Sequence, residues 1–254
     1  MRRTPAAVID VGGSGAAVWS LAGGAPRLSD QHPGAPGTAE LALLGVAAAR
    51  HGDAILVATP GQMDGDGLLH AANLGWSRLS LAGALDLPGR DVRWVNDAAA
   101  IAAGERALHG LDGRVLALVF GTGLGVAVAD AGGARTLMDG DGIEAGHMAT
   151  GDPEACPCGR SGCVEVLARR WMARGEGADA LGDAVRMICD MARPDAVVLC
   201  GGALRDRARM RALLDVVAGG VGGLPLFGSA APRDEKSAAP HGTAAVWAQG
   251  RRPG

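Results

Sequence analysis

One device, a strand that runs into a glycine turn and comes straight back as a second strand, occurs twice in this chain and limits its folding more than any other feature. Val8-Ile9-Asp10-Val11 leads into Gly12-Gly13-Ser14-Gly15 and out through Ala16-Ala17-Val18-Trp19-Ser20-Leu21. Later, Val115-Leu116-Ala117-Leu118-Val119-Phe120 leads into Gly121-Thr122-Gly123-Leu124-Gly125 and out through Val126-Ala127-Val128-Ala129. A mononucleotide P-loop or a dinucleotide fingerprint needs a helix directly after its glycines, so a returning strand excludes both. The repetition implies two related halves. Between and after the hairpins, strand patterns at 54–58, 92–95 and 196–200 alternate with helical ones at 39–50 and 98–107, and helical patterns flank the last strand. That alternation predicts α/β layering. Residues 23–37, rich in Gly and Pro, read as a loop.

Composition removes several classes of function. The net charge of −3 provides no basic field for nucleic acid or an anionic membrane. No segment reaches the roughly 18 uninterrupted apolar residues of a membrane span. The apolar stretch after Arg2-Arg3 stops at Asp10, too soon for a signal peptide, so a cytoplasmic protein is expected. In that compartment the five cysteines do not read as a disulfide framework.

Four motifs carry chemistry. A tight, side-chain-free turn presents backbone N–H groups that hold phosphates, and Ser14 and Thr122 add hydroxyls; the competing reading is that the glycines only close hairpins. Asp97 ends a strand and begins a helix, at the carboxyl edge where α/β sheets place their sites. It suits the base that takes a proton from an attacking alcohol, and equally a helix cap. His147, Cys156, Cys158 and Cys163 form a closed Cys₃His set, the pattern of a structural zinc, with Pro157, Gly159 and Gly162 letting the chain curl around it. Glu144 and Glu165 flank that loop, as acceptors for a polyol or as solvated surface acids. Cys189 and Cys200 sit in apolar patterns and read as core.

Taken together these residues resemble the ROK family of sugar kinases and sugar-responsive repressors. The likeness runs through Asp10–Gly15, Thr59-Pro60-Gly61, Ala72-Asn73-Leu74-Gly75-Trp76, Asn96-Asp97-Ala98, Phe120–Gly125, Leu199–Gly202 and His241–Ala245. It is sharpest from Glu144-Ala145-Gly146-His147 to Cys156-Pro157-Cys158-Gly159-Arg160-Ser161-Gly162-Cys163-Val164-Glu165. The resemblance implies an α/β, actin-like (ribonuclease H-like), two-lobed sugar kinase fold. Residues 1–97 would form a smaller N-terminal lobe, joined by a C-terminal helix at 240–250. Residues 98–239 would form the larger lobe, with the zinc loop at 147–163.

The implied activity is ATP-dependent phosphorylation of a hexose or amino-hexose, of glucokinase type. Asp97 would be the base. Asn96, Glu144, His147 and Glu165, with Gly61 and Asn73, would hold the sugar, His147 also binding zinc. Asp10 would sit near Mg²⁺, the turns Gly12-Gly13-Ser14-Gly15 and Gly121-Thr122-Gly123 with Gly125 near phosphates, and Gly201-Gly202 near the adenosine. Sugar and ATP are the expected partners of a homodimer. With the first glycine turn at residue 10, no DNA-binding helix-turn-helix is expected before it. The Gly12-Gly13-Ser14-Gly15 turn and Phe120 are similar to polyphosphate-using glucokinases, which makes polyphosphate an alternative donor. The region 168–195 is short for the family, and a non-catalytic sugar sensor of the same fold is the second alternative.

Overall fold

The computed structural model describes residues 5–64, 66–71, 74–138, 144–231 and 237–250. The first hairpin is β1 (Ala7–Gly12) and β2 (Gly15–Ser20), paired antiparallel from Ala7↔Ser20 to Gly12↔Gly15. β3 (Arg27–Pro33) pairs antiparallel with β2, while β4 (Ala54–Thr59) runs parallel to β1. Three short strands follow as a separate sheet, β5 (Gln62–Met63), β6 (Leu69–Ala71) and β7 (Trp76–Leu79). β8 (Asp91–Asn96) then pairs parallel with β4 and completes the order β3-β2-β1-β4-β8.

The second half repeats this wiring. β9 (Val115–Phe120), β10 (Leu124–Asp130) and β11 (Gly133–Thr136) form an antiparallel meander, and β12 (Ala196–Cys200) and β13 (Leu226–Gly228) add in parallel. The order is β11-β10-β9-β12-β13. Two sheets with the same strand order and the same pairing senses give the actin-like arrangement expected from the duplicated hairpins.

Helices α1 (Thr38–Ala49) and α2 (Leu81–Leu85) belong to the first half, and α4 (Val164–Arg174), α5 (Ala178–Ala192) and α6 (Arg207–Ala218) to the second. Between the sheets lies α3 (Asp97–Leu108). Its residues Ala98 to Glu105 are all buried, and Ala98 to Ala103 form one cluster with Val8 and Leu56 of the first sheet and Val115 and Ala127 of the second. A helix buried on every side has to be small: Gly104 lies so close to the carbonyl of Ala238 that a β-carbon there would overlap it. At Gly125, a β-carbon would come within 2.9 Å of Ala98 Cβ. The alanine run is thus the packing surface on which two sheets meet.

Residues 27–33, expected as loop, are a strand. Their side chains are nearly all exposed, and the segment is held by backbone pairing to β2, a bond set that leaves no hydrophobic period to read. The helix expected at 240–250 is broken into 3₁₀ turns at Ala239–Gly242 and Trp247–Gln249 around α7 (Thr243–Val246). This segment touches both sheets: Trp247 O accepts from Arg93 of β8, and Gln249 Oε1 accepts from Ala134 N of β11. Among the described residues no helix is long and apolar enough to cross a membrane.

Candidate active site

The carboxyl ends of β1, β4, β8, β9 and β12 point toward one region, and two cavities open there. The first, about 410 Å³, is lined by Gly61, Asn96, Asp97, Glu144, His147 and Glu165, together with the turn Gly121–Gly125. The second, about 500 Å³, is lined by Asp10, the turn Gly12–Gly15, Gly121, Thr122, Gly201 and Gly202. Asp97, Val119, Gly121 and Thr122 border both. The two glycine turns face each other across the second cavity: a β-carbon on Gly13 would lie 2.9 Å from Thr122 Oγ1.

Asn96 and Asp97 divide the labour at the start of α3. Asn96 Oδ1 accepts from Ala98 N at 2.9 Å, making Asn96 the helix cap, and its Nδ2 donates to Gly61 O at 3.1 Å. Asp97 Oδ1 also accepts from Ala98 N, at 2.8 Å, and Asp97 borders both cavities. Burial, and after it the nearby Asp10 and Glu144 carboxylates, push its carboxyl up to about 7, against the hydrogen bond from Ala98 N. Burial likewise pushes Asp10 up to about 6, against a hydrogen bond from Ser237. A base with a pKa near neutrality is ionised enough to act and basic enough to accept a proton.

Glu144 is held above the usual carboxylate range by burial, which outweighs the nearby His147 and a hydrogen bond to Gln62. Its Oε1 is buried with no hydrogen-bond partner among the described residues, a group a hydroxyl would satisfy. Glu165 is engaged on both oxygens: Oε2 accepts from Leu124 N at 3.1 Å, and Oε1 lies 3.8 Å from Cys156 Sγ. It therefore ties the cysteine loop to the second glycine turn. Gly61 has φ of 101°, and a β-carbon there would overlap His70 O, so the turn between β4 and β5 requires glycine.

His147, Cys156, Cys158 and Cys163 bring their ligand atoms within 4.8 Å of one another. Cys158 Sγ and Cys163 Sγ are 3.6 Å apart, and His147 Nδ1 is 3.7 Å from Cys156 Sγ. Those separations fit the edges of a tetrahedron around an ion with bonds of roughly 2.3 Å to sulfur. Burial, with the neighbouring thiols of Cys158 and Cys156, pushes Cys163 up to about 12. A central cation would reverse that cost.

Most of the residues singled out in the sequence converge here. Gly123 and Gly125, expected beside phosphates, line the first cavity instead of the second. Asn73 lies outside the described residues. Cys189 and Cys200 are buried core, as expected. Sequence reasoning missed Arg205 and Ser237 in the second cavity and Arg169 in the first. Arg205, just after the Gly201-Gly202 turn, was findable as a cation beside a glycine turn; Ser237 carries no local signal.

Comparison with known proteins follows the same lines. The model of the ROK family matches residues 42–170. Over 97 residues the chain is 38% identical to a glucokinase of Thermotoga maritima, a match that takes in 34% of this chain and 30% of that protein. Among solved structures, a ROK hexokinase from Thermus thermophilus superimposes with a TM-score of 0.69 and 26% identity over 94% of this chain and 96% of its own. A ROK family glucokinase from Streptomyces griseus, in complex with glucose and AMPPNP, gives a TM-score of 0.69 at 21% identity over 95% of this chain and 98% of its own, a likeness of fold.

Proposed function

Because this chain belongs to the ROK family, we propose that it is a sugar kinase that transfers the terminal phosphoryl group of ATP to a hydroxyl of a hexose or amino-hexose, with glucose the first candidate. One observation carries the reading: Asp97 forms the wall between a cavity rich in hydrogen-bonding groups and a cavity bounded by two glycine turns. An acceptor in the first and a donor in the second would meet at that carboxylate. Glucose and AMPPNP occupy the glucokinase of Streptomyces griseus, and the ligand classes proposed here are the same.

In this mechanism the sugar lies against Glu144, His147, Asn96 and Gly61, and Glu144 Oε1 gains the partner it lacks among the described residues. Asp97 accepts the hydroxyl proton as the sugar oxygen attacks phosphorus. Backbone N–H groups of Gly12–Gly15 and Gly121–Thr122 receive the phosphate oxygens, and Gly201-Gly202 borders the nucleoside side. Positioning and charge stabilisation supply most of the rate in such transfers. Asp10, a buried carboxylate with its charge poorly compensated, fits a place beside Mg²⁺, which when bound offsets the charge of the phosphates.

His147, Cys156, Cys158 and Cys163 would hold a zinc ion through Nδ1 and three sulfurs, with every ligand from protein and therefore a structural role. Held there, the ion would fix the loop next to Glu165, which accepts from Leu124 N, and His147, which lines the first cavity, would face the sugar with the rest of its ring. Residues 1–97 and 98–239 as lobes, a cytoplasmic location and a homodimer complete the reading.

The test is a panel of hexoses and N-acetyl-hexosamines with Mg-ATP and the zinc-loaded protein, with Asp97→Asn as control. Sugar-dependent ADP release that disappears in the variant is expected. Sugar binding by calorimetry without turnover on any member would replace the kinase with a sensor.

A further inference from the structure

Glu105 lines neither cavity, yet among the described residues it is the most completely covered acidic or basic one, at 0% exposure. Taking a carboxylate out of water is costly, and a hydrophobic side chain of the same size is often at least as stable in such a place. The partners of Glu105 lie in one short stretch of chain. Ser229 Oγ donates to Oε1, and Ala230 N donates to Oε2 at 2.9 Å. Ser229 Oγ in turn accepts from Ala231 N at 3.2 Å, and His109, one turn further along α3, donates from Nε2 to Gly228 O at 3.1 Å. The chain leaving β13 is therefore laced to α3 from Gly228 to Ala230.

The neighbouring residues of α3 hold the chain where it comes back. Gly104 abuts Ala238 O, and Gly242 lies so close to Ala100 O and Gly104 N that a β-carbon there would overlap both. Ser237, directly before Ala238, lines the donor cavity, and its side chain hydrogen-bonds to Asp10. Its Oγ is also fixed from the other side, by accepting from Ala239 N at 3.0 Å. Ile101, one helical turn before Glu105 on the same face, lines that cavity as well.

We propose that Glu105 is a positioning residue for the phosphoryl donor: by fixing Ser229 and Ala230 to α3, it sets where the returning chain places Ser237, on the wall of the donor cavity beside Asp10. The identity of the donor rests on the kinase reading. A carboxylate suits the task because it accepts from a hydroxyl and a backbone N–H at once, through charge-assisted bonds that an apolar side chain cannot make. The acceptor cavity is lined by none of Glu105, Ser229, Ala230 and Ser237, so the effect falls on the donor side.

The experiment compares the full-length wild type with three variants. Glu105→Met keeps the length of the side chain and accepts nothing, and Ser229→Ala removes one of the two donors. Glu105→Gln is the conservative variant, able to accept from Ala230 N while donating to Ser229 Oγ. Each is titrated calorimetrically with Mg-ATP and, separately, with glucose, and hydrogen exchange of the ligand-free protein is read by mass spectrometry. We expect Glu105→Met to lose about tenfold in Mg-ATP affinity, Ser229→Ala about threefold and Glu105→Gln less than about twofold, with glucose affinity within about twofold throughout. Exchange should quicken in Glu105→Met over residues 226–231 and 237–242 and stay unchanged over 144–165. If Glu105→Met does not fold, Ser229→Ala carries the same test. Equal losses for Mg-ATP and glucose, or faster exchange spread to 144–165, would make Glu105 a structural residue only and overturn the proposal. So would quicker exchange at the two segments with Mg-ATP affinity unchanged, or no change in exchange at all. Sugar-dependent turnover is read in a separate assay. Mg-ATP binding that responds as expected, without turnover on any sugar, defeats the kinase reading alone; turnover with Mg-ATP affinity indifferent to Glu105→Met defeats this proposal alone. A wild type that binds no Mg-ATP overturns both.

Discussion

Replacing Asp97 by Asn should destroy activity and at the same time make the protein more stable at alkaline pH. The substitution keeps the size of the side chain and an oxygen able to accept from Ala98 N, and Asn96 retains the cap, so the start of α3 is preserved. What it removes is a carboxylate held from 3.8 up to about 7 by burial and by Asp10 and Glu144. A carboxyl with its folded pKa above its unfolded one binds its proton more tightly in the folded state. Its protonated form therefore stabilises the fold relative to its ionised form, fully below pH about 3.8, and that advantage is lost as pH rises toward about 7. At about 1.4 kcal/mol per pH unit, the ionised form costs at most about 4 kcal/mol above pH 7. Asp97 as a whole is only half-buried, and water in the two cavities screens part of this, leaving on the order of 2 kcal/mol.

For a chain of this size that corresponds to a gain of roughly 4–8 °C in Tm at pH 8 and almost none at pH 4. Thermal unfolding of ligand-free wild type and variant, followed by circular dichroism from pH 4 to 8, measures the difference, while a coupled assay reads a loss of about 10²–10⁴-fold in kcat. A variant that is equally or less stable at pH 8, or whose gain does not grow with pH, would show that the carboxylate is well compensated in the folded protein. The account of Asp97 as a base raised by its surroundings would then fail.

In the wild type, kcat/KM should fall as pH drops below about 7, because the free protein's base becomes protonated, and a pH–rate profile at saturating Mg-ATP checks this. Removing zinc with a chelator, or making Cys156→Ser, should lower Tm and raise the KM for sugar, with metal analysis giving one zinc per untreated chain. Glu165→Gln keeps an acceptor for Leu124 N and should keep most of kcat, whereas Glu165→Ala frees the second glycine turn and should cost at least tenfold, measured by steady-state kinetics. Gly104→Ala, which forces a β-carbon into the Ala238 carbonyl, should destabilise by about 1–3 kcal/mol in a urea titration.

The paired hairpins, the parallel strands β4, β8 and β12, and α3 were legible in the sequence because each carries a hydrophobic run or a glycine turn that answers to burial. The cysteine loop was legible because metal ligation fixes residue types at fixed spacing. β3 was not, since its order comes from backbone bonds along an exposed edge, and the small sheet of β5–β7 is too short to show a period. The choice between base and cap at Asp97 was equally undecidable from a dipeptide. In the structure the side chains of Asn96 and Asp97 both accept from Ala98 N, while Asn96 also reaches Gly61 and Asp97 borders both cavities, an arrangement no dipeptide could show.

The alanine run of α3 follows from that same junction. If each sheet had its own helix layer on the inner side, α3 could carry large residues on one face and polar ones on the other. A single helix shared by two sheets has no solvent face where they meet, from Ala98 to Glu105, so the distance between the sheets there is set by the size of its side chains. Ala98 to Ala103, with one Ile101, keep them close enough for Gly13 to meet Thr122 across the donor cavity. Asp97, the carboxylate proposed as the base, is the first residue of that helix, and the two cavities lie to either side of it. Larger residues along α3 would therefore widen the gap between the glycine turns before they unfolded either half, and phosphoryl transfer should be lost at a smaller perturbation than the fold.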